Sequence, residues 1–312
     1  MTHSVINRMT SGADNGAPTA TPRIAETADC PPCWERLDRL GWAAGLAFVS
    51  HGARLGVRVN DPDVLGRVAG LLPPGWEAAD STLVDGLYSL KVAAPGASPG
   101  VRRYHLLYGG VARLARTLDL DEALAVLESD LHAQVAARAR DRLFVHAGVV
   151  GWRGRAIVLP GRSFSGKTSL TAALVRAGAT YYSDEYAVLD AAGRVHPYLK
   201  PLSLRRDDGT PDRRCGAAEL GGREGGPPLP VGLIAAARYQ PGGRWCPGTL
   251  TAGQALMEML DNTVAVREHP QRSLATLSAA IGTAAAVRGR RGEAGAAALA
   301  LLEHPVFAGG TP

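Results

Sequence analysis

The chain has few cysteines, few aromatic residues and no long apolar run. Four cysteines occur among its 312 residues, Cys30, Cys33, Cys215 and Cys246, too few and too scattered for a disulfide framework. No apolar segment is long enough to span a bilayer, and the N-terminus lacks the basic start and apolar stretch of a secretory signal. We therefore expect a cytoplasmic protein with no membrane partner.

The charge of the chain does not identify a ligand, and its distribution does not suggest a nucleic-acid partner. The net charge of +5 is compatible with an anionic ligand but too diffuse to identify one. The arginines cluster at 205–206, 213–214 and 288–291, in stretches that resemble loops. Because no aromatic residues interleave with them, they do not suggest binding of single-stranded nucleic acid by base stacking, and we expect no nucleic-acid partner.

The pattern of apolar residues divides the chain into three parts. Residues 1–28 are rich in small polar residues without periodicity and predict a flexible tail. Residues 29–140 predict a small α+β domain, with alternation at 55–59 for a strand and an apolar stripe over 121–140 for a helix. Cys30 and Cys33, at its start, form a C-x-x-C pair without a second pair, and we interpret them as ordinary thiols.

Residues 141–312 predict an α/β domain with a central mixed sheet. Strands are expected at 143–150, 156–159, 181–183, 186–189 and 232–238, and helices at 168–177, at 252–262 and over much of 271–302. The segment from Arg205 to Pro230 is so rich in glycine, proline and charge that it predicts a long mobile loop.

The clearest motif lies between an apolar strand and a helix. It reads Gly161-Arg162-Ser163-Phe164-Ser165-Gly166-Lys167-Thr168 and matches G-x-x-x-x-G-K-[ST] in full. In such a loop the backbone amides cradle a phosphate chain, the lysine reaches the β- and γ-phosphates, and the threonine hydroxyl coordinates Mg²⁺. Together with the following Ser169, this segment is expected to bind ATP. The alternative is an ordinary glycine-rich turn between strand and helix.

Phosphoryl transfer also needs an acid for the metal and a base for the acceptor. Asp184 and Glu185 end a short strand after the motif, where we expect them to face the same crevice as Lys167. A carboxylate there can accept the proton of an attacking hydroxyl, unless the two acids are merely solvated in a turn. His146, one strand before the motif, is by itself more typical of a structural histidine.

These three segments together resemble the core of HPr kinase/phosphorylase. The resemblance rests on His146-Ala147-Gly148, the loop from Gly161 and the pair Asp184-Glu185, and it covers roughly residues 143–190. It implies an HPr-kinase-like P-loop domain in which His146 lies beside the phosphoryl acceptor. It further implies that Asp184 is the general base and that Glu185 assists Thr168 and Asp184 at Mg²⁺.

Residues 183–190 and 196–204 resemble a branch of that family found with peptide natural-product clusters, similar to the kinases that tailor lasso peptides. The implied activity is transfer of the ATP γ-phosphate to a serine-type hydroxyl of a peptide or protein. Glu185 replaces the second aspartate of the family, and Ser169 stands where the parent enzyme has glutamate, which weighs against phosphorylase activity and against HPr as substrate.

Other functions stay open at this point. The acceptor could be a small molecule such as free serine, or the chain could be a nucleotide-binding scaffold in peptide maturation without transfer. Lys200, Arg205 and Arg206 could bind phosphate or an acidic peptide, or could be solvated basic residues. A homo-oligomer is compatible with the sequence, which does not specify an oligomeric state.

Overall fold

The computed structural model of the chain describes residues 21–24, 31–94, 102–161, 165–204 and 213–308. These residues form an α/β protein with mixed sheets and seven α-helices. Two compact units are present, one of Met1–Val49, Arg54–Leu71 and Ala78–Leu127, the other of Ser50–Ala53, Leu72–Glu77 and Glu128–Pro312. Most of the predicted tail and Cys30 lie outside the described residues. In the described ranges, no helix is both long and apolar enough to cross a membrane.

The first unit is built on a six-stranded mixed sheet. Its elements in chain order are β1 (Arg23–Ile24), α1 (Pro31–Asp38), β2 (Ala44–Ser50), β3 (Ala53–Val59), α2 (Leu65–Ala69), β4 (Glu77–Ala78), β5 (Leu83–Val84), β6 (Gly86–Lys91), β7 (His105–Gly109), β8 (Ala112–Thr117) and α3 (Leu120–Arg138), whose second half belongs to the other unit. The sheet order is β4-β2-β3-β6-β7-β8, with β3 and β6 parallel, while β1 pairs with β5. The predicted strand at 55–59 and the helix over 121–140 are confirmed as β3 and α3.

The second unit contains an eight-stranded mixed sheet. Its elements are β9 (Leu143–Trp152), β10 (Arg155–Pro160), α4 (Lys167–Arg176), β11 (Thr180–Ser183), β12 (Tyr186–Leu189), β13 (Arg194–His196), β14 (Leu202–Leu204), β15 (Arg213–Cys215), β16 (Leu229–Tyr239), β17 (Gly248–Thr249), α5 (Ala252–Leu260), α6 (Pro270–Ile281), β18 (Ala285–Arg291) and α7 (Ala294–Leu302). The sheet order is β10-β9-β12-β13-β16-β18-β17, with β11 also on β9. Since β10 pairs with β16 as well, five strands form a closed circuit of hydrogen bonds.

Strand directions bring several chain ends to one edge of this sheet. Strands β10, β16 and β18 are mutually parallel. Strand β9 is antiparallel to β10, and β11 is antiparallel to β9, so β11 runs in the same direction as β10. The carboxyl ends of all four strands therefore lie at the same edge, and in α/β proteins ligands bind at the carboxyl ends of parallel strands.

Helices cover both faces of the sheet because the inner strands alternate between two apolar clusters. Ile157 and Leu159 of β10 pack with Leu170 of α4 and with residues of α7 on one face. Val158 packs with residues of α5 and α6, such as Leu277, on the other face. All these strand positions are almost fully buried, as expected for strands covered on both sides.

The segment from Arg205 to Pro230 is not one long loop. Residues 205–212 lie outside the described residues, but β15 follows and pairs with β14, a 3₁₀ turn occupies Ala218–Leu220, and β16 begins at Leu229. Two of its glycines serve close packing. A Cβ at Gly222 would come within 2.2 Å of the Val175 side chain, and one at Gly225 within 2.2 Å of the Tyr182 ring. The prediction of a mobile loop is therefore wrong for residues 213–230.

A further prediction that needs correction is that the clustered arginines lie in loops. Much of 271–302 is helical as predicted, in α6 and α7, but β18 lies between these two helices and pairs with β16 from Leu233 to Tyr239. The arginines at 288–291 are consequently in a strand rather than a loop, as are Arg213 and Arg214 in β15. Strand pairing overrides the local composition in both places.

Candidate functional site

The motif at 161–168 connects a buried strand to a helix. Strand β10 ends at Pro160, and α4 begins at Lys167. Gly166 caps the helix with a φ of +83°, in the left-handed region that glycine adopts without strain. Arg162, Ser163 and Phe164, which complete the predicted nucleotide-binding segment, lie outside the described residues. The strand and helix that the sequence predicts around the motif are present.

Arg291 and Tyr239 pack against Gly166. An added Cβ at Gly166 would lie 2.5 Å from an Arg291 guanidinium nitrogen and 3.5 Å from the Tyr239 Cβ. The Arg291 guanidinium donates to the Gly166 carbonyl at 2.6 Å and to the Gly292 carbonyl at 2.8 Å, and lies 5.4 Å from the Tyr239 ring centre. Glycine is thus required here for two reasons, its backbone conformation and the close approach of a cation.

Arg291 is a buried cation, because only 2% of its surface is exposed. Among the described residues no carboxylate lies within ion-pair distance of it, and its Nε atom has no hydrogen-bond acceptor. Desolvation lowers the pKa of Arg291, and Glu293 opposes the shift. A buried guanidinium beside the motif adds positive potential where a phosphate chain would bind.

The polar side chains of the motif lie in different environments. Lys167 Nζ donates to the Gly161 carbonyl at 2.6 Å. Desolvation lowers the pKa of Lys167, while the charges of Asp184 and Glu185 oppose the shift. The Ser165 hydroxyl is buried without a hydrogen-bond partner in the described part of the chain, whereas Ser169 is exposed in the first turn of α4.

Two consecutive residues of β9 bring the predicted segments together. On one edge the His146 carbonyl accepts a hydrogen bond from the Gly161 amide at 3.2 Å. On the opposite edge the Ala147 amide donates to the Glu185 carbonyl at 3.2 Å, and Tyr186 is the register partner of His146. The beginning of the motif, the histidine and the acidic pair are therefore neighbours in space.

Asp184 lies in the short break between β11 and β12. The Ser183 hydroxyl accepts hydrogen bonds from the amides of Glu185 at 3.2 Å and Tyr186 at 3.0 Å, which holds the turn. Burial raises the pKa of Asp184 to about 7, although a hydrogen bond from Thr168 and the charge of Lys167 lower it. A carboxyl group with this pKa can exchange a proton near neutral pH.

Glu185 is engaged by a lysine rather than by the motif. Lys200 Nζ lies 2.7 Å from a carboxylate oxygen of Glu185 and 3.7 Å from one of Glu128. Glu128 is itself buried and pairs with Arg214. The alternative of Lys200 as a simply solvated residue is thus wrong, because Lys200 bridges two carboxylates. Arg205 and Arg206 lie outside the described residues.

The surroundings of His146 favour the neutral form of its ring. Its ring stacks obliquely on Tyr186 with 4.8 Å between ring centres. Although the residue reaches solvent, desolvation lowers the pKa of His146, the positive charge of Lys167 lowers it further, and Glu185 opposes both. A neutral imidazole can accept or donate a hydrogen bond to a neighbouring hydroxyl without adding charge.

The oxygen atoms of Asp184 and Thr168 fit Mg²⁺, which needs few protein ligands, better than they fit a metal ion whose ligands all come from the protein. The described residues contain no group of three or more His, Cys, Asp or Glu side chains that could hold a metal ion. Mg²⁺ is commonly held by one or two carboxylates, with phosphate oxygens and water completing the shell. Asp184 Oδ1 is buried and has no partner within the described ranges, and the Thr168 hydroxyl contacts the same carboxyl group. Glu185, which is paired with Lys200 through one carboxylate oxygen, would be a further ligand.

The sequence motifs did not reveal Arg291, Tyr239 or Glu128. Arg291 belongs to a run of arginines whose strand is defined by distant pairing, so no local pattern singles it out. Glu128 did leave a signal, because it interrupts the apolar stripe of α3 between Leu124 and Leu131. An acidic residue on a buried helix face usually has a cationic partner.

A scan against protein-family models and a search of the curated proteins both found no match to this chain. What the site can do is therefore inferred from its own residues.

Proposed function

We propose that the protein is an ATP-dependent kinase that transfers the γ-phosphate to a serine-type hydroxyl of a peptide or protein. The observation that carries this proposal is the position of Asp184. Its carboxyl group has a pKa of about 7 and an unpartnered buried oxygen in the described part of the chain, and it contacts Thr168 of the phosphate-binding motif. The second unit would then be an HPr-kinase-like P-loop domain, and the first a small α+β domain.

The motif would bind the nucleotide. Amides at the start of α4 would donate hydrogen bonds to the phosphate chain, as the amides of helix N-termini do. Lys167 would exchange its hydrogen bond to the Gly161 carbonyl for the β- and γ-phosphates, and Arg291 would hold Gly166 in the turn. Thr168 and Asp184 would hold Mg²⁺, with Glu185 as a further ligand. When bound, the ion would neutralise charge on the transferred group.

Asp184 and His146 would act on the acceptor hydroxyl. Asp184 accepts the proton of the serine hydroxyl, whose oxygen bonds to the γ-phosphorus while the bond from that phosphorus to the β–γ bridging oxygen breaks and ADP leaves. The neutral His146 ring, on the neighbouring strand, would orient the hydroxyl by a hydrogen bond.

The test is an intact-mass assay of phosphate transfer. The purified chain is incubated with ATP and Mg²⁺ and with either a short precursor peptide encoded beside its gene or free serine. We expect the peptide to gain one phosphate. Lys167→Ala should abolish transfer by weakening nucleotide binding, and Asp184→Asn should abolish transfer while ATP still binds.

The matched control is Asp80→Asn, which makes the same change at an exposed position of the first unit. It should transfer phosphate at the wild-type rate. Phosphorylation of free serine but not of the peptide would show that the protein is a kinase and that its acceptor is a small molecule. Tight ATP binding without transfer to any acceptor would favour the nucleotide-binding scaffold, and full activity of Asp184→Asn would refute the assigned base.

A further inference from the structure

The first unit contains a cavity whose described lining comes only from its own residues. The cavity has a volume of about 580 Å³, within the range of small-molecule sites. Its apolar wall includes Pro22, Ile24 and Leu87, and its remaining wall includes the rings of Trp34 and Trp42 and the guanidinium of Arg58. Neither the motif at 161–168 nor the acid pair contributes to it.

Arg58 is held in this wall as a buried cation with an unused donor. Only 5% of its surface is exposed. Its Nε donates to the Ser89 hydroxyl at 2.8 Å, and one terminal nitrogen donates to the Asp38 carboxylate at 2.6 Å. The other terminal nitrogen is buried and has no acceptor among the described residues. A charged N–H group left in this state is unfavourable unless a ligand completes its hydrogen bonds.

Trp42 presents a second unused donor beside the first. The Arg58 Cζ atom lies 4.7 Å from the centre of the Trp42 ring and 5.9 Å from that of Trp34. The indole Nε1–H of Trp42 is buried and, like the Arg58 nitrogen, has no acceptor in the described part of the chain. An indole nitrogen can only donate, so both unmet groups require an acceptor.

We propose that this cavity is a binding site for a carboxylate attached to an apolar body, such as the C-terminal residue of a peptide. Two unmet donors on residues that line one cavity could together meet the two oxygens of one carboxylate, and the arginine supplies the charge. The Trp34 ring with Pro22 and Leu87 would cover the apolar part. Asp38 is 61% exposed and already bonded to Arg58, so it competes with the ligand for the same cation.

This site does not rest on the proposed kinase activity. It is tested on the full chain without nucleotide, by ligand-observed saturation-transfer NMR. The probes are N-acetyl-L-leucine, its uncharged amide N-acetyl-L-leucinamide, and inorganic phosphate. We expect N-acetyl-L-leucine to bind about tenfold more tightly than the amide, because a charge-assisted hydrogen bond is lost in the amide. Inorganic phosphate, which lacks the apolar body, should bind more weakly still.

Three variants assign the binding to this cavity. Trp42→Phe keeps the ring and removes the Nε1–H, and it should weaken binding about fivefold. Asp38→Asn removes the competing carboxylate and should strengthen binding severalfold. Arg58→Met should abolish binding. Circular dichroism checks its fold, and the other two variants decide the matter if it does not fold. Trp76→Phe, outside the lining, should leave the affinity unchanged.

The outcomes are distinct. Equal affinity for the acid and the amide would refute the carboxylate site. If inorganic phosphate bound as tightly as N-acetyl-L-leucine, the apolar body of the ligand would not contribute to affinity, and that part of the proposal would be refuted. Binding that Trp42→Phe and Asp38→Asn leave unchanged would place the ligand elsewhere on the protein and overturn the proposal.

Discussion

Asp184 should make the fold less stable at the pH where it would act, so replacing it should stabilise the protein while abolishing transfer. The carboxyl group has a pKa of about 7 in the folded chain against an ordinary value of 3.8. Between these values the folded protein holds a proton that the unfolded chain has released. Raising the pH through this window therefore favours the unfolded chain. The neutral side chain of Asp184→Asn escapes this effect.

The size of the effect follows from the two pKa values. Ionising Asp184 in the folded protein is unfavourable by on the order of 4 kcal/mol relative to the unfolded chain. At pH 5.5 the wild-type protein has already lost about half of this amount from its free energy of unfolding. The stability advantage of Asp184→Asn over wild type should therefore grow by about 2 kcal/mol between pH 5.5 and pH 8.5. For a unit of this size, that corresponds to a melting-temperature difference of roughly 4–8 °C.

The assay is thermal unfolding of both proteins in EDTA at the two pH values. Asp190→Asn is the control of opposite sign. Burial raises the pKa of Asp190, but hydrogen bonds from His196 and from the Arg194 amide outweigh it and lower the pKa. That variant should be less stable than wild type at both pH values. A gain for Asp184→Asn that is independent of pH, or a loss that grows with pH, would refute the reasoning.

Two further substitutions test the cations near the site. Arg291→Met should weaken ATP binding by at least tenfold in a calorimetric titration, because it removes the donor to the Gly166 carbonyl and a buried positive charge. Lys200→Met should lower the free energy of unfolding by about 1–3 kcal/mol in urea, because it leaves Glu185 without its cation and buried Glu128 with only Arg214.

Each has a matched control. Arg291→Lys keeps the charge but not the two-donor geometry and should fall between wild type and Arg291→Met. Wild-type affinity for ATP in both Arg291 variants would show that the turn at Gly166 keeps its conformation without Arg291. Arg288→Met removes a more exposed ion pair to Glu258 and should change stability by less than about 1 kcal/mol. Equal losses in the Lys200 and Arg288 variants would contradict the bridging role of Lys200.

The local parts of the site could be predicted from the sequence. A strand, a glycine-rich turn and a helix follow one another at 155–176, and each has its own periodicity or cap. The strand before Asp184 and the strand after Glu185 are likewise visible as short apolar segments, and β12 has the predicted bounds. Residues close in sequence make these elements, so local patterns suffice.

The rest depends on pairings between distant segments. Nothing in the sequence near Arg291 indicates that it reaches Gly166, because β18 must first pair with β16 and β16 with β10. The direction of β9 was also not predictable, since an antiparallel and a parallel buried strand have the same apolar pattern. Glycines 222 and 225 were misleading because close packing and flexibility select the same residue.

The position of Asp184 beside strand β9 bears on which substitutions the sheet can tolerate. One edge of β9 is shared by β11 and β12, and Asp184 lies where the first ladder ends and the second begins. Its side chain takes no part in the backbone pairing on either side. If the proposed function holds, substitutions at this position would change the reaction without disrupting the backbone pairing of the sheet.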